Sequence, residues 1–132
     1  MLTVDKAAVV LIDVQGKLAS LMFERDRLYQ NLQILLQGAR ILELPILWLE
    51  QYPKGLGPTV PQIAGILDGL EPIAKTSFSA CGEPRFIEAL AATGRRQAIV
   101  AGIESHVCVY QTTRDLLASG HEVEIIADAV SS

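Results

Sequence analysis

The chain has 132 residues, half of them apolar, and a formal net charge of −4. That is enough chain for one domain with a real core, and too apolar for a disordered one. The mildly acidic balance and the lack of a basic run argue against a nucleic-acid partner, and the longest apolar runs, AAVVLI and AIVA, are far too short to cross a bilayer.

The N-terminal stretch MLTVDKAAVVLIDVQ runs straight into a strand pattern, with no basic segment, apolar stretch and cleavage site in succession, so no signal peptide is expected. Cys81 and Cys108 have no CxxC spacing and fit a reducing cytosol, which makes the expected location cytoplasmic. AAVVLIDV is a continuous, β-branched run ending at Asp13, as expected of a strand covered on both faces. From Arg25 to Leu44, residues Leu28, Leu32, Leu35, Leu36, Ala39 and Leu42 recur at helical spacing, and Pro45 follows where a helix has to have ended. ILWLE, Ile46 to Glu50, is a second strand. QYPKGLGPTVP holds three prolines and two glycines in eleven residues and is expected to be a loop. Its length points to function.

PQIAGILDGL reads as a short helix or turn, and EPIAKTSF as a short strand ending near Lys75. EPRFIEALAATG is a helix, with Pro84 in its first turn and Gly94 at its C-terminal cap. QAIVAGI is a fourth strand, a helix follows from about Val107 to Ser119, and EVEIIAD is a fifth strand. Strands alternating with helices imply right-handed crossovers and a mostly parallel sheet with helices on both faces. In such sheets the site lies beyond the carboxyl ends of the strands. Asp13, Glu50, Lys75 and Cys108 all fall there and are expected to face one crevice.

Each of these residues has an ordinary reading beside the chemical one. Cys108 is either a small buried hydrophobe or a nucleophile whose thiol pKa is lowered by a helix N-terminus. Asp13 is either a turn or capping residue or a general base whose proton affinity is raised by burial. Lys75 is either a solvated lysine or a cation that holds a carboxylate and a thiolate in place. Gln15 either lines the crevice or faces solvent. Phe23, Trp48, Tyr52 and Phe78 are candidates for an apolar pocket wall, and Tyr52 and Phe78 flank motifs. Cys81 reads as a bystander, and GIESHVC lacks the GxSxG elbow of a serine nucleophile.

The segments LIDVQ, AKTSFSA and AGIESHVCV…TTRDLLASGHEV…IIADAVSS, in this order, resemble the signature segments of the isochorismatase-like hydrolases. The loop EQYPKGLGPTV is similar to the branch called isochorismatase domain-containing proteins. The resemblance implies a three-layer α/β/α fold and an Asp–Lys–Cys triad on Asp13, Lys75 and Cys108. It also implies a cis peptide at Ile103–Glu104 and an oxyanion hole made by the N–H groups of Glu104 and Cys108. The cysteine separates this chain from the true isochorismatases, which lack it. The strand-two loop has no histidine, unlike the metal-binding nicotinamidases. His106 and His121 stand isolated elsewhere, so neither a metal nor a cofactor is expected.

The expected activity is hydrolysis of a small amide-like C–N bond through a thioester. The alternatives are a nicotinamidase-type amidase and a non-catalytic binding or scaffold protein on the same fold. The expected partners are a small-molecule substrate and further copies of the chain, with no nucleic acid and no membrane. Relatives assemble commonly, and the mean hydropathy of +0.33 is high for so small a sheet domain. Residues 1–132 are expected to form a single hydrolase domain shortened at its C-terminus. The family continues with a helix, a sixth strand and a terminal helix, so EVEIIAD is expected to expose an edge with Val123, Ile125 and Ile126 bare.

Overall fold

Ala7–Ile12 forms β1, and all six of its side chains are buried. A strand buried on both faces has to lie inside a covered sheet. β1 pairs in parallel with β2 (Ile46–Gln51) on one side and β4 (Gln97–Ile103) on the other. With β3 (Ile73–Lys75) and β5 (Glu122–Ser131) the order is β3-β2-β1-β4-β5, and every pairing is parallel. This architecture comes from a computed structural model that describes residues 1–132.

Helices cover both faces and make three layers. On one face Val9, Leu11, Trp48 and Ile99 pack against Leu28, Leu32, Leu36 and Ala39 of α2 (Arg25–Ile41). The short α1 (Gly16–Ser20) and α4 (Pro61–Ala64) close that side with Ala19 and Ile63. On the other face Val10, Ile12, Leu49 and Val100 pack against Phe86 and Leu90 of α5 (Pro84–Thr93) and Leu116 of α6 (Tyr110–Ala118). The alternation of strand residues between two apolar layers is the period of two expected from the pleat. α5 starts on Pro84, with Glu83 accepting from the Arg85 N–H, and ends on Gly94 in the left-handed region at φ 66°.

Some local elements differ from the sequence reading. α2 stops at Ile41, because the chain turns through Glu43 at φ 57° before Pro45. The proline- and glycine-rich loop holds a helical turn, α3 (Pro53–Leu56), nucleated by Pro53 at its first position. β5 runs on to Ser131, where the Ser131 hydroxyl donates to the Phe23 carbonyl (2.7 Å) and the Phe23 N–H donates to that of Ser132 (3.1 Å). The outer edge of β5 pairs with no strand, and Ile125 is 43% exposed, but Val123 and Ile126, expected to be bare, are half-buried because each packs against one of the two cores.

The chain leaves β1 for β2 and β3 on one side, then crosses back to β4 on the other. Such a reversal opens a crevice beyond the carboxyl ends of the two central strands. Gly102 makes the approach close. It has φ 121°, and a Cβ there would lie 2.1 Å from the Ile12 carbonyl oxygen. Only glycine fits, and the ends of β1 and β4 are thereby brought together.

Candidate active site

Asp13 follows β1 in the left-handed region (φ 55°) and is 2% exposed. Its Oδ2 accepts a hydrogen bond from Lys75 Nζ at 2.9 Å, and both side chains are buried. Lys75 closes β3, in register with Gln51 at the end of β2. Its ammonium also donates to Gln51 Oε1 (2.7 Å) and to the carbonyls of Ser77 (3.1 Å) and Phe78 (2.9 Å). An ammonium has three protons, so these four acceptors leave none for a substrate. Lys75 is a fixed charge, held by the bend after β3.

Asp13 Oδ1 is buried with no hydrogen-bond partner. The Cys108 thiol is near enough for each group to shift the proton affinity of the other. Burial pushes the Asp13 carboxyl above the usual aspartate value, and this outweighs the pull of Lys75 in the opposite direction. Burial, followed by the negative charge of Asp13, pushes the Cys108 thiol up to about 12, against the weaker effect of Lys75. This corrects the expectation of a thiol acidified by a helix N-terminus. Burial and the neighbouring carboxylate move the thiol in the direction opposite to that expected of a helix end, and favour the protonated sulfur.

The helix itself also opens earlier than the sequence indicates. Ser105–Val109 forms a wide turn in which the Val109 N–H reaches back five residues to the Glu104 carbonyl (3.1 Å). Cys108 lies inside this first turn, 7% exposed. The Ile103–Glu104 peptide is cis, and the Glu104 N–H finds no backbone acceptor.

A cavity of about 140 Å³ joins these groups, with Asp13, Gln51, Glu104 and Cys108 among its walls. Leu18, Leu56 and Phe78 make much of the rest apolar. Its size is roughly five water volumes at about 30 Å³ each. Larger surface clefts, of about 500 and 470 Å³, lie beside α2 and hold none of Asp13, Lys75 or Cys108. Their serines donate to backbone carbonyls, Ser131 to that of Phe23 and Ser20 to that of Lys17.

Three expected crevice residues lie elsewhere. Gln15 is wholly buried and bonded to backbone. Its Nε2 donates to the carbonyls of Gln51 (3.0 Å) and Gly57 (2.8 Å), and its Oε1 accepts from the Gln51 N–H (2.6 Å). It bolts the strand-two loop to β1 and does not line the cavity. Tyr52 is 54% exposed and is not among the cavity walls. It sits at a left-handed turn, φ 35°, that carries its ring out of the site. Glu50 shares a strand face with Trp48 and so points away from Cys108. Its Oε2 accepts from the N–H (2.7 Å) and the hydroxyl (2.8 Å) of Thr59. Phe78 does line the cavity.

Gln51, Leu18 and Leu56 were missed by the sequence reading. Only Gln51 had a signal: alternation along ILWLEQ puts it on the face opposite Glu50, the face of Leu47 and Leu49. No group of three or more His, Cys, Asp or Glu side chains is gathered to hold a metal. His106 contacts Ser132 and His121 contacts Ser119.

Residues 7–132 match the family model described as the isochorismatase domain. Isochorismatase domain-containing protein 2 of Danio rerio is 42% identical over 131 residues, covering 99% of this chain and 66% of its own length. The solved structure of MAR1 ribonuclease from Caenorhabditis elegans superposes with a TM-score of 0.91 at 41% identity, covering 99% of this chain and 67% of that one. The YcaC gene product of Escherichia coli, described as an octameric hydrolase of unknown specificity, gives a TM-score of 0.93 at 30% identity, covering 99% of this chain and 66% of that one. The chain thus spans just under two thirds of the Danio rerio relative.

Proposed function

The chain belongs to the isochorismatase family, and from that premise we propose that it hydrolyses a small amide-like C–N bond with Cys108 as nucleophile. One observation carries this reading: a buried carboxylate, Asp13, whose one oxygen is held by Lys75 and whose other oxygen is open, beside a protonated thiol in a small cavity. A carboxylate with raised proton affinity is suited to take a proton and give it back.

In the proposed sequence the Cys108 proton passes to Asp13 Oδ1 as sulfur bonds to the substrate carbonyl carbon. The N–H groups of Glu104 and Cys108 receive the oxyanion. The C–N bond breaks and Asp13 returns the proton to the leaving amine. Water then attacks the thioester while Asp13 takes its proton. Collapse frees the acid, and the proton goes back to sulfur. Lys75 transfers nothing. Its charge keeps Asp13 ionised enough to act despite burial.

The cavity size fits a compact acyl group with an apolar body. A phosphodiester reading, which the name of the C. elegans relative invites, calls for cations facing the phosphate. No lysine or arginine lines this cavity, and Lys75 is engaged by four oxygens. A nicotinamidase-type amidase remains the alternative within the same chemistry, and chelation with nicotinamide as substrate tests it. We take residues 1–132 as a hydrolase domain that works without a resident metal or cofactor. No helix is long and apolar enough to cross a membrane. Both cysteines are free thiols, in keeping with a cytoplasmic location. Exposed Leu21, Phe23, Ile34 and Ile41 and the octameric relative support a homo-oligomer, and light scattering at micromolar concentration is the check.

The deciding experiment is a screen of small amides with acid quench and intact mass measurement. A substrate should leave an acyl adduct on Cys108, and Cys108→Ala should lose both adduct and turnover while keeping its circular dichroism. Turnover retained by folded Cys108→Ala would exclude the thioester route, and a wild-type protein that forms no adduct with any amide would favour the scaffold reading.

A further inference from the structure

We propose that Gln51 is a positioning residue that sets how much of the Lys75 charge reaches Asp13, and through Asp13 the proton of Cys108. The inference rests on the cysteine-hydrolase reading and adds a residue to it. Gln51 Oε1 makes the shortest of the four bonds to Lys75 Nζ, 2.7 Å against 2.9 Å to Asp13. With four acceptors for three protons, Gln51 and Asp13 compete for the same ammonium.

Gln51 is itself built in. Its Nε2 donates to the Thr76 carbonyl (3.1 Å), which orients the amide with its oxygen towards Lys75. Its backbone N–H and carbonyl are both clamped by the buried side chain of Gln15. Gln51 also lines the cavity beside Asp13 and Cys108. A neutral amide here takes a share of the Lys75 protons without taking its charge. The charged groups at the couple are Asp13 just after β1, Lys75 from β3 and Glu104 just after β4, and Glu50, on the opposite face of β2, acts on Asp13 only weakly through its charge. Among these only Lys75 is cationic. Any added anion at position 51 therefore acts on the one charge that stabilises ionised Asp13.

The test needs no substrate. Iodoacetamide, a small neutral electrophile, is used on the intact chain across a pH series, and labelling of Cys108 and Cys81 is read separately by peptide mass. In Gln51→Glu the new carboxylate competes for Lys75 and repels Asp13. The Cys108 profile should move to higher pH by about one unit, which is about tenfold slower labelling on the acidic limb. In Gln51→Leu the competitor is gone, and the profile should move to lower pH by a smaller amount. The Cys81 profile should stay in place in both. A purely structural role would lower Tm in both variants and leave the Cys108 midpoint where it is. If Gln51→Glu does not fold, Gln51→Leu carries the test, and an unshifted Cys108 midpoint in that folded variant overturns the inference. A wild-type Cys108 that iodoacetamide never labels overturns the nucleophile reading as well. A reactive wild-type thiol with identical midpoints in the variants overturns this inference alone.

Discussion

At the carboxyl ends of β1 and β2 two carboxylates are buried in neighbouring strands, Asp13 at 2% and Glu50 at 6% exposure. Glu50 is wired to neutral donors. Its Oε2 takes the N–H and hydroxyl of Thr59, and Thr59 Oγ1 in turn accepts from Trp48 Nε1 (2.8 Å). That network pins the strand-two loop onto the α2 face of the sheet. Asp13 has a cation on one oxygen and an open lone-pair site on the other, facing a cavity and a thiol. Burial alone therefore does not mark a catalytic carboxylate. What supports the proposed role of Asp13 is an oxygen with no donor but a neighbouring thiol, at a cavity where a reacting group fits.

The sharpest way to break this contrast is Asp13→Asn. Loss of the base should slow turnover by roughly 10²–10⁴-fold. Stranding buried Lys75 should lower urea stability by about 3–5 kcal/mol. Turnover close to that of the wild type in a folded variant would make Asp13 a second Glu50.

The pH dependence of Cys108 labelling sharpens the contrast next. Asp13 has to lose its proton before it can accept one from the thiol, and burial holds its affinity above the usual 3.8. Labelling should therefore be slow in acid and rise with a midpoint clearly above pH 3.8. The thiol itself ionises only near 12, so its own titration adds no limb near neutrality. A profile that tracks an ordinary thiol would contradict the coupling.

Glu50→Gln should do the converse. It weakens a loop anchor and should cost about 1–3 kcal/mol in urea unfolding. The Cys108 profile should move only slightly, and downward, because the Glu50 charge is the smallest of the effects that raise Asp13. A large loss of Cys108 reactivity at unchanged stability would put Glu50 in the machinery.

The smallest effect is expected at Tyr52→Phe. The side chain is half exposed and outside the cavity, so stability should change by less than about 0.5 kcal/mol and labelling not at all.

Much of this arrangement was legible in the order of residues. AAVVLI is apolar at every position, which requires burial on both faces and hence a central parallel strand. Strand–helix alternation then put Asp13, Lys75 and Cys108 at one end of one sheet, because chain direction is shared by all parallel strands. Helix periodicity named the buried side of α2 at Leu28, Leu32, Leu36 and Ala39. These are local or one-dimensional properties, and pattern suffices for them.

What only the tertiary structure decided depends on register and on the exclusion of water. The pairing of Gln51 with Lys75 selects Gln51, and not Glu50, as the partner of the ammonium. Gln15 is a bolt because the end of β2 offers it two backbone groups of Gln51 and the loop after β2 folds back to offer the Gly57 carbonyl. The proton on Cys108 is held by burial and by a carboxylate distant in sequence, neither of which the local helix pattern announces. Proton affinity is a sum over everything near a group in space, and neighbours along the chain are a small part of that sum.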